Sequence, residues 1–213
     1  QYTNGNTLII GPPGQGKSVL VKYIFLWLTF LGQKILYIDP KNETVLFFKR
    51  ALDKFGHIPE FKALYQRINF VSLSSEERYR GMLDPLLFLP REEAIQTARN
   101  VLENFGEVTT DSHTASDKKT LILDSVNAVM KGKGKKHLTK VIEVIREKDP
   151  KLANLISGHN VGLGKILLGN DYSEPIRFEN QINVLGTQGL KIPTQAEIDS
   201  GRLNNEQIAG MSI

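Results

Sequence analysis

The run Gly11-Pro12-Pro13-Gly14-Gln15-Gly16-Lys17-Ser18 constrains this chain more than any other feature. It fills every position of G-x-x-x-x-G-K-[ST], a phosphate-binding loop that needs a buried strand before it and a helix after it. Both are predicted. Thr7-Leu8-Ile9-Ile10 reads as a short buried strand entered through an Asn4-Gly5-Asn6 turn. Lys17 to about Leu31 reads as a helix stopped by Gly32, and Lys34 to Ile38 as a second buried strand. Strand, loop, helix, strand is a βαβ unit, which implies a parallel sheet with helices on its faces.

The chemistry explains the residue types. Successive backbone N–H groups must turn inward around phosphate oxygens, and glycine permits that. Gly14, Gln15 and Gly16 are the expected nest, and the N-terminus of the following helix adds positive partial charge. Lys17 is expected to reach the β- and γ-phosphates, and the Ser18 hydroxyl to hold Mg²⁺. Pro12 and Pro13 stiffen the approach. With Gly11 and Val19 these residues form the candidate set for ATP, and Ser18 is the candidate metal ligand. A glycine-rich turn without a ligand is the competing reading, and the flanking strand and helix argue against it.

Just beyond the second strand stands Ile38-Asp39-Pro40-Lys41-Asn42-Glu43. Ligands of open parallel sheets lie outside the carboxyl ends of the strands. A carboxylate there can orient an attacking water or relay its proton, and Lys41 can neutralise phosphate charge. Lys17, Asp39, Lys41 and Glu43 are therefore the candidate catalytic residues. The other reading is a charged helix-start turn, with Asp39 acting at the helix N-terminus, and the pattern alone leaves both open.

Further helices are predicted over Thr44 to Phe55, stopped by Gly56, and over Arg91 to Phe105, with Pro90 at its first turn. Another covers His137 to Lys148, with a short continuation at Lys151 to Leu155. Ile68 to Leu73 reads as a third strand. Ser74 to Arg80, Gly106 to Lys119 and the basic stretch Lys131 to Lys136 read as loops. Thr120 to Met130 is ambiguous, and Ile166 to Leu168 and Gln181 to Val184 are expected to return to the sheet. The predicted organisation is a phosphate-loop core over residues 1–90, a mainly helical insertion over 91–165, and a return to the core over 166–213. Trp27, Phe25 and Phe30 are expected in the core.

The full chain of 213 residues is 40% hydrophobic, enough for a packed core, and carries a formal charge of +4. That mild basicity permits nucleic acid without demanding it. Without cysteine, disulfides and thiolate metal sites are excluded, and an intracellular protein is expected. Val19 to Leu31 falls well short of the roughly 20 apolar residues that span a bilayer. Lys131, Lys133, Lys135, Lys136 and Lys140 form the densest basic cluster, a candidate for DNA or anionic lipid or simply a solvated loop. His57, His113, His137 and His159 lack ligand spacing. No Asn-Lys-x-Asp base-reading motif marks a GTPase.

The phosphate loop, its helix and Tyr37-Ile38-Asp39-Pro40-Lys41-Asn42-Glu43 together resemble the HerA/FtsK-type superfamily of RecA-like motors. More closely they resemble the conjugation and type IV secretion ATPases, whose members carry Asp-Pro-Lys-(Gly or Asn)-Glu at this place. Met82-Leu83-Asp84-Pro85-Leu86 resembles their Asn-Pro-Leu element, with Asp84 where Asn is usual. Ile182 to Pro193 resembles a stretch that precedes their Walker B strand. The resemblance implies an α/β P-loop NTPase core with a mainly helical insertion, using ATP and Mg²⁺. It also implies a cytoplasmic ATPase peripheral to the inner face of a membrane, within a secretion or conjugation complex. The active form would be a homo-oligomer, a hexamer, that powers transfer of DNA or protein and takes an arginine in trans. Arg78, Arg80 and Arg202 are candidates for that arginine. No sequence-specific nucleic-acid recognition is indicated.

A second acid at the end of an apolar strand is also required. Leu121-Ile122-Leu123-Asp124-Ser125 is the nearest match, but Ile122, Val126, Val129 and Met130 recur at helical spacing and favour a helix. The expectation is a fragment of a longer protein whose Walker B strand lies beyond Ile213.

Overall fold

In a computed structural model of the chain, residues 9–108, 113–190, 193–200 and 203–212 are described. Three strands form a parallel sheet: β1 (Ile35–Asp39), β2 (Ile68–Ser72) and β3 (Ile182–Gly186), in the order β1-β3-β2. Ile182 pairs with Ile35 on one side and Ile68 on the other, and Gly186 lies level with Asp39 and Ser72. The last strand in sequence is therefore the central one. Among the described residues, Ile9 and Ile10 carry no sheet pairing, and Thr7 and Leu8 lie outside them.

The first helices cover one face of this sheet. α1 (Lys17–Phe30) ends in a Schellman turn: Gly32 has φ +72°, and the Gln33 N–H donates to the Leu28 carbonyl at 3.0 Å. α2 (Glu43–Phe55) ends at Gly56, and α3 (Pro59–Tyr65), which periodicity did not predict, begins on its proline. Phe25 of α1 and Phe48 of α2 pack with Ile35, Ile68, Ile182 and Val184 in a small core.

The remaining helices build a larger core. α4 (Pro85–Phe88) leads into α5 (Arg91–Phe105), whose buried residues Ala94, Ala98, Val101, Leu102 and Phe105 follow the spacing of one helix face. α6 (His113–Lys131) and α7 (Leu138–Lys148) add Ile122, Val126, Val141 and Ile145, and α8 (Pro150–Ser157) adds Leu152 and Ile156. α9 (Gly164–Leu167) precedes β3, while α10 (Gln195–Ser200) and α11 (Asn205–Met211) follow it. Each side chain of Leu102 or Phe105 size contributes about 1.5–3 kcal/mol by leaving water. The architecture is mixed α/β, a parallel sheet with a large helical insertion before its central strand. Among the described residues no helix is long and apolar enough to cross a membrane.

Several expectations are corrected. The loop expected to run to Lys119 gives way to α6 from His113, which also takes in Thr120 to Met130. Its polar residues are the exposed face of a helix whose inner face carries Ala115, Ile122, Val126 and Val129. Ile166 to Leu168 does not rejoin the sheet; its first two residues end α9, which Gly164 allows to pass close to the His159 carbonyl. Within residues 204–213, for which the sequence predicts no element, α11 stands behind a capping box of Asn204 and Gln207. Phe25 is buried, but Trp27 and Phe30 are 53% and 76% exposed. α1 is apolar on all sides, so its composition could not say which side faces the sheet.

Candidate functional site

The loop before α1 has the backbone that its glycines promise. Gly14 and Gly16 have φ of +79° and +78°, a region that residues with a Cβ rarely adopt. Gly16 is the N-cap of α1, with no capping side chain and no acidic residue in the first turn. The Leu20 N–H is the one that bonds back to the Gly16 carbonyl, at 2.9 Å. The N–H groups of Lys17, Ser18 and Val19 precede it and have no carbonyl one turn back within the helix. An uncapped helix N-terminus behind two left-handed glycines suits an anion. Lys17 folds back over the loop, its Nζ donating to the Gly11 and Pro12 carbonyls at 2.5 and 2.6 Å. Pro12, Pro13, Gln15, Ser18 and Val19 are exposed.

The acids at the end of β1 divide: Asp39, expected just beyond the strand, is its last residue. Asp39 is buried, and its Oδ2 accepts from the Thr44 N–H at 2.8 Å and the Val45 N–H at 3.3 Å. That is the helix-start arrangement: the carboxylate satisfies two orphan donors of α2 and meets the positive end of its dipole. Glu43 is exposed and reaches Lys22 of α1 at 3.8 Å, about 7 Å along the helix axis from Lys17 at 1.5 Å per residue. Lys41 is exposed. Asn42 has φ +57°, which gives a physical reason for Gly or Asn at this position. Its Oδ1 sits 2.5 Å from where a Cβ on Gly186 would stand, so the turn lies directly on the end of β3.

The carboxyl ends of all three strands meet here. The Thr187 N–H donates to the Asp39 carbonyl at 3.3 Å, and a Cβ on Gly189 would lie 2.3 Å from the Leu73 carbonyl. Thr187 and Gln188 thus emerge from the central strand between the ends of β1 and β2. Sequence reasoning used Ile182 to Pro193 only as a mark of resemblance and assigned these two side chains no place. The available signal was an apolar run ending in Gly-Thr-Gln, with the strand order missing. Lys191 and Ile192 lie outside the described residues.

Other singled-out residues lie elsewhere. Asp124 is an exposed residue within α6, not a strand end. Asp84 is fully buried, and its carboxylate accepts from the N–H groups of Leu86, Leu138 and Gly169 at 3.0, 2.7 and 2.9 Å. It ties the starts of α4 and α7 to the chain after α9. Arg80 is bound to Glu77 and to Asn160, whereas Arg78 is exposed and paired with Glu76 at 2.9 Å. Arg202 lies outside the described residues. In the basic cluster, Lys140 holds Asp171 at 2.6 Å, Lys135 holds Glu174 at 3.6 Å, and Lys136 donates to the Gly132 carbonyl. Asp171 is held below the usual carboxylate range, chiefly by its hydrogen bond from Lys140. Two of the five lysines are thus paired with acids of the segment after α9.

Among the described residues no group of three or more His, Asp or Glu is placed to hold a metal by itself. The donor set at the loop, one hydroxyl from Ser18 beside backbone N–H groups, fits a cation that arrives with phosphate ligands.

Among solved structures, VirB4 of Thermoanaerobacter pseudethanolicus shares the fold with a TM-score of 0.50 at 18% identity, over 85% of this chain and 49% of that one. Uncharacterized protein YddE of Bacillus subtilis (strain 168) is 28% identical over 214 residues, covering 95% of this chain. The chain spans about a quarter of that relative's length (25%). The family model of the AAA-like domain matches residues 1–213 from end to end, and the chain belongs to that family.

Proposed function

We propose that this chain is the ATP-binding part of a motor ATPase that powers conjugative DNA transfer or type IV secretion. The observation that carries the reading is the uncapped α1 N-terminus behind Gly14 and Gly16, with Lys17 and Ser18 in its first turn. Backbone N–H groups from Gly14 to Val19 bind the phosphates, and Lys17 exchanges its two carbonyl partners for phosphate oxygens. Ser18 holds Mg²⁺, which when bound withdraws charge from the phosphoryl group under attack. Asp39 sets the start of α2 and so places Lys41 and Glu43, and Glu43 is the exposed carboxylate that orients water. Thr187 and Gln188 complete the edge as polar contacts. The parent protein works as a homo-oligomer, a hexamer, against a membrane-bound secretion or conjugation complex, and contacts DNA without reading its sequence.

One observation favours a second reading, an ATP-gated assembly scaffold with little turnover. Asp39 is committed to α2 and Glu43 to Lys22, which leaves few acids for chemistry. A DNA-processing ATPase of the same superfamily shares the loop chemistry. Binding of Mg-ATP and its turnover, each measured against Lys17→Ala, separate these readings. The variant is expected to lose roughly tenfold or more in affinity, the worth of one charge-assisted phosphate contact. Equal affinity of both proteins defeats the nucleotide assignment. Binding with turnover at the variant's background, in a protein extended past Ile213, favours the scaffold.

A further inference from the structure

We propose that the groove between α1 and α2 docks an acidic amphipathic helix of a partner protein. On α2, Glu43, Phe47, Arg50 and Lys54 recur at i, i+4, i+7 and i+11, so they share one stripe. Thr44 and Phe48 point the other way, into the core. The stripe borders a groove of about 480 Å³ that Lys22 of α1 closes on the far side. Its apolar lining is open to water: Phe47 is 52% exposed, Leu46 48% and Phe55 39%. Isolated exposed apolar residues are ordinary, but a contiguous set within a concave, charged rim marks an interaction site.

Charge complementarity names the occupant. Lys22, Arg50 and Lys54 line the groove against one acid, Glu43. Among the described residues Arg50 has no ion-pair partner, and Lys54 lies over the Phe55 ring at 5.3 Å. Lys22 already holds one carboxylate, that of Glu43. Beneath the groove, Phe47 and Lys22 also line a smaller hollow of about 40 Å³ that reaches Phe25, Tyr37 and Phe48. It suits one aliphatic side chain, the anchor that helix-in-groove recognition uses, while the rim cations meet the helix's acidic face. A nucleic-acid strand would also value cations and aromatics, but the hollow is too small for a base. A lipid surface needs a projecting face, whereas a hollow lies beneath these cations.

The test uses a labelled synthetic helix of about five turns, roughly 18 residues, built from Leu, Ala and Glu with the Glu on one face. Its twin carries Lys for Glu. Binding is followed by fluorescence anisotropy without nucleotide, so failure of the nucleotide assignment leaves the result readable. The acidic peptide should bind the chain and the Lys twin should not. The double variant Arg50→Glu, Lys54→Glu, both exposed and outside the core, should weaken binding roughly tenfold or more, and Phe47→Ser should weaken it similarly. Equal binding of the two peptides, or unchanged affinity in the double variant, overturns the proposal. So does Arg50- and Lys54-dependent capture of a thymidine oligonucleotide or of phosphatidylglycerol vesicles by a chain that ignores the peptide.

Discussion

Asp84 makes the pH dependence of stability a sharp test of how the helical core is tied together. Its side chain is fully buried and receives three backbone N–H bonds from three separate segments. Burial pushes its carboxyl up to about 7, while the three N–H bonds pull the other way. In the unfolded chain it titrates near 3.8. Between about pH 4 and 7 the native state therefore keeps a proton that the unfolded chain has released. Stability from this group is full below the unfolded value, falls as pH rises through that window, and is gone above the folded value. At about 1.4 kcal/mol per unit, the loss from pH 5 to pH 8 comes to about 2–3 kcal/mol. Asp84→Asn keeps the shape and cannot titrate. Urea unfolding of both proteins at pH 5, 6, 7 and 8 gives the difference directly. His137 and His159, whose burial holds their imidazoles below the ordinary range, slope the opposite way, but they do so in both proteins and subtract out. Relative to the Asn variant, the wild type should lose about 2–3 kcal/mol across the range. A difference flat with pH refutes the reasoning and means that the three N–H bonds keep the carboxylate ionised throughout.

Two further substitutions test the backbone at the site and in the helical core. Asn42 has φ +57°, so Asn42→Ala should cost about 1 kcal/mol or more while Asn42→Gly stays near wild type in thermal unfolding; equal losses would mean that the side chain, not the backbone, matters. Gly164→Ala would place a Cβ 1.8 Å from the His159 carbonyl. A helical glycine normally gains from this change, and here the sign should reverse, with about 2 kcal/mol or more lost in urea unfolding.

The elements legible in the sequence are those whose signals are local. α1, α2 and α5 lie within a residue or two of the predicted bounds because Gly32, Gly56 and Pro90 mark their ends within one turn. The first half of α6 reads as loop because the turn from Asp117 to Thr120 is polar all round, and only packing against α5 and α7 makes it helical. At the site, the turns at Gly14 and Gly16 were legible because backbone geometry dictates them. The two acids were not separable, since a carboxylate at a strand end serves a helix N-terminus or a ligand with the same spelling.

By itself, then, the sequence determined the glycine loop and the helix behind it, each set by the allowed backbone of a few adjacent residues. The tertiary structure alone decided that β3 stands between β1 and β2, which brings Asn183 beside Asn69, 114 positions away. That pairing sets Thr187 and Gln188 beside Asp39. Parallel strands joined by long crossovers are ordered by packing among distant residues, and no local pattern carries that order.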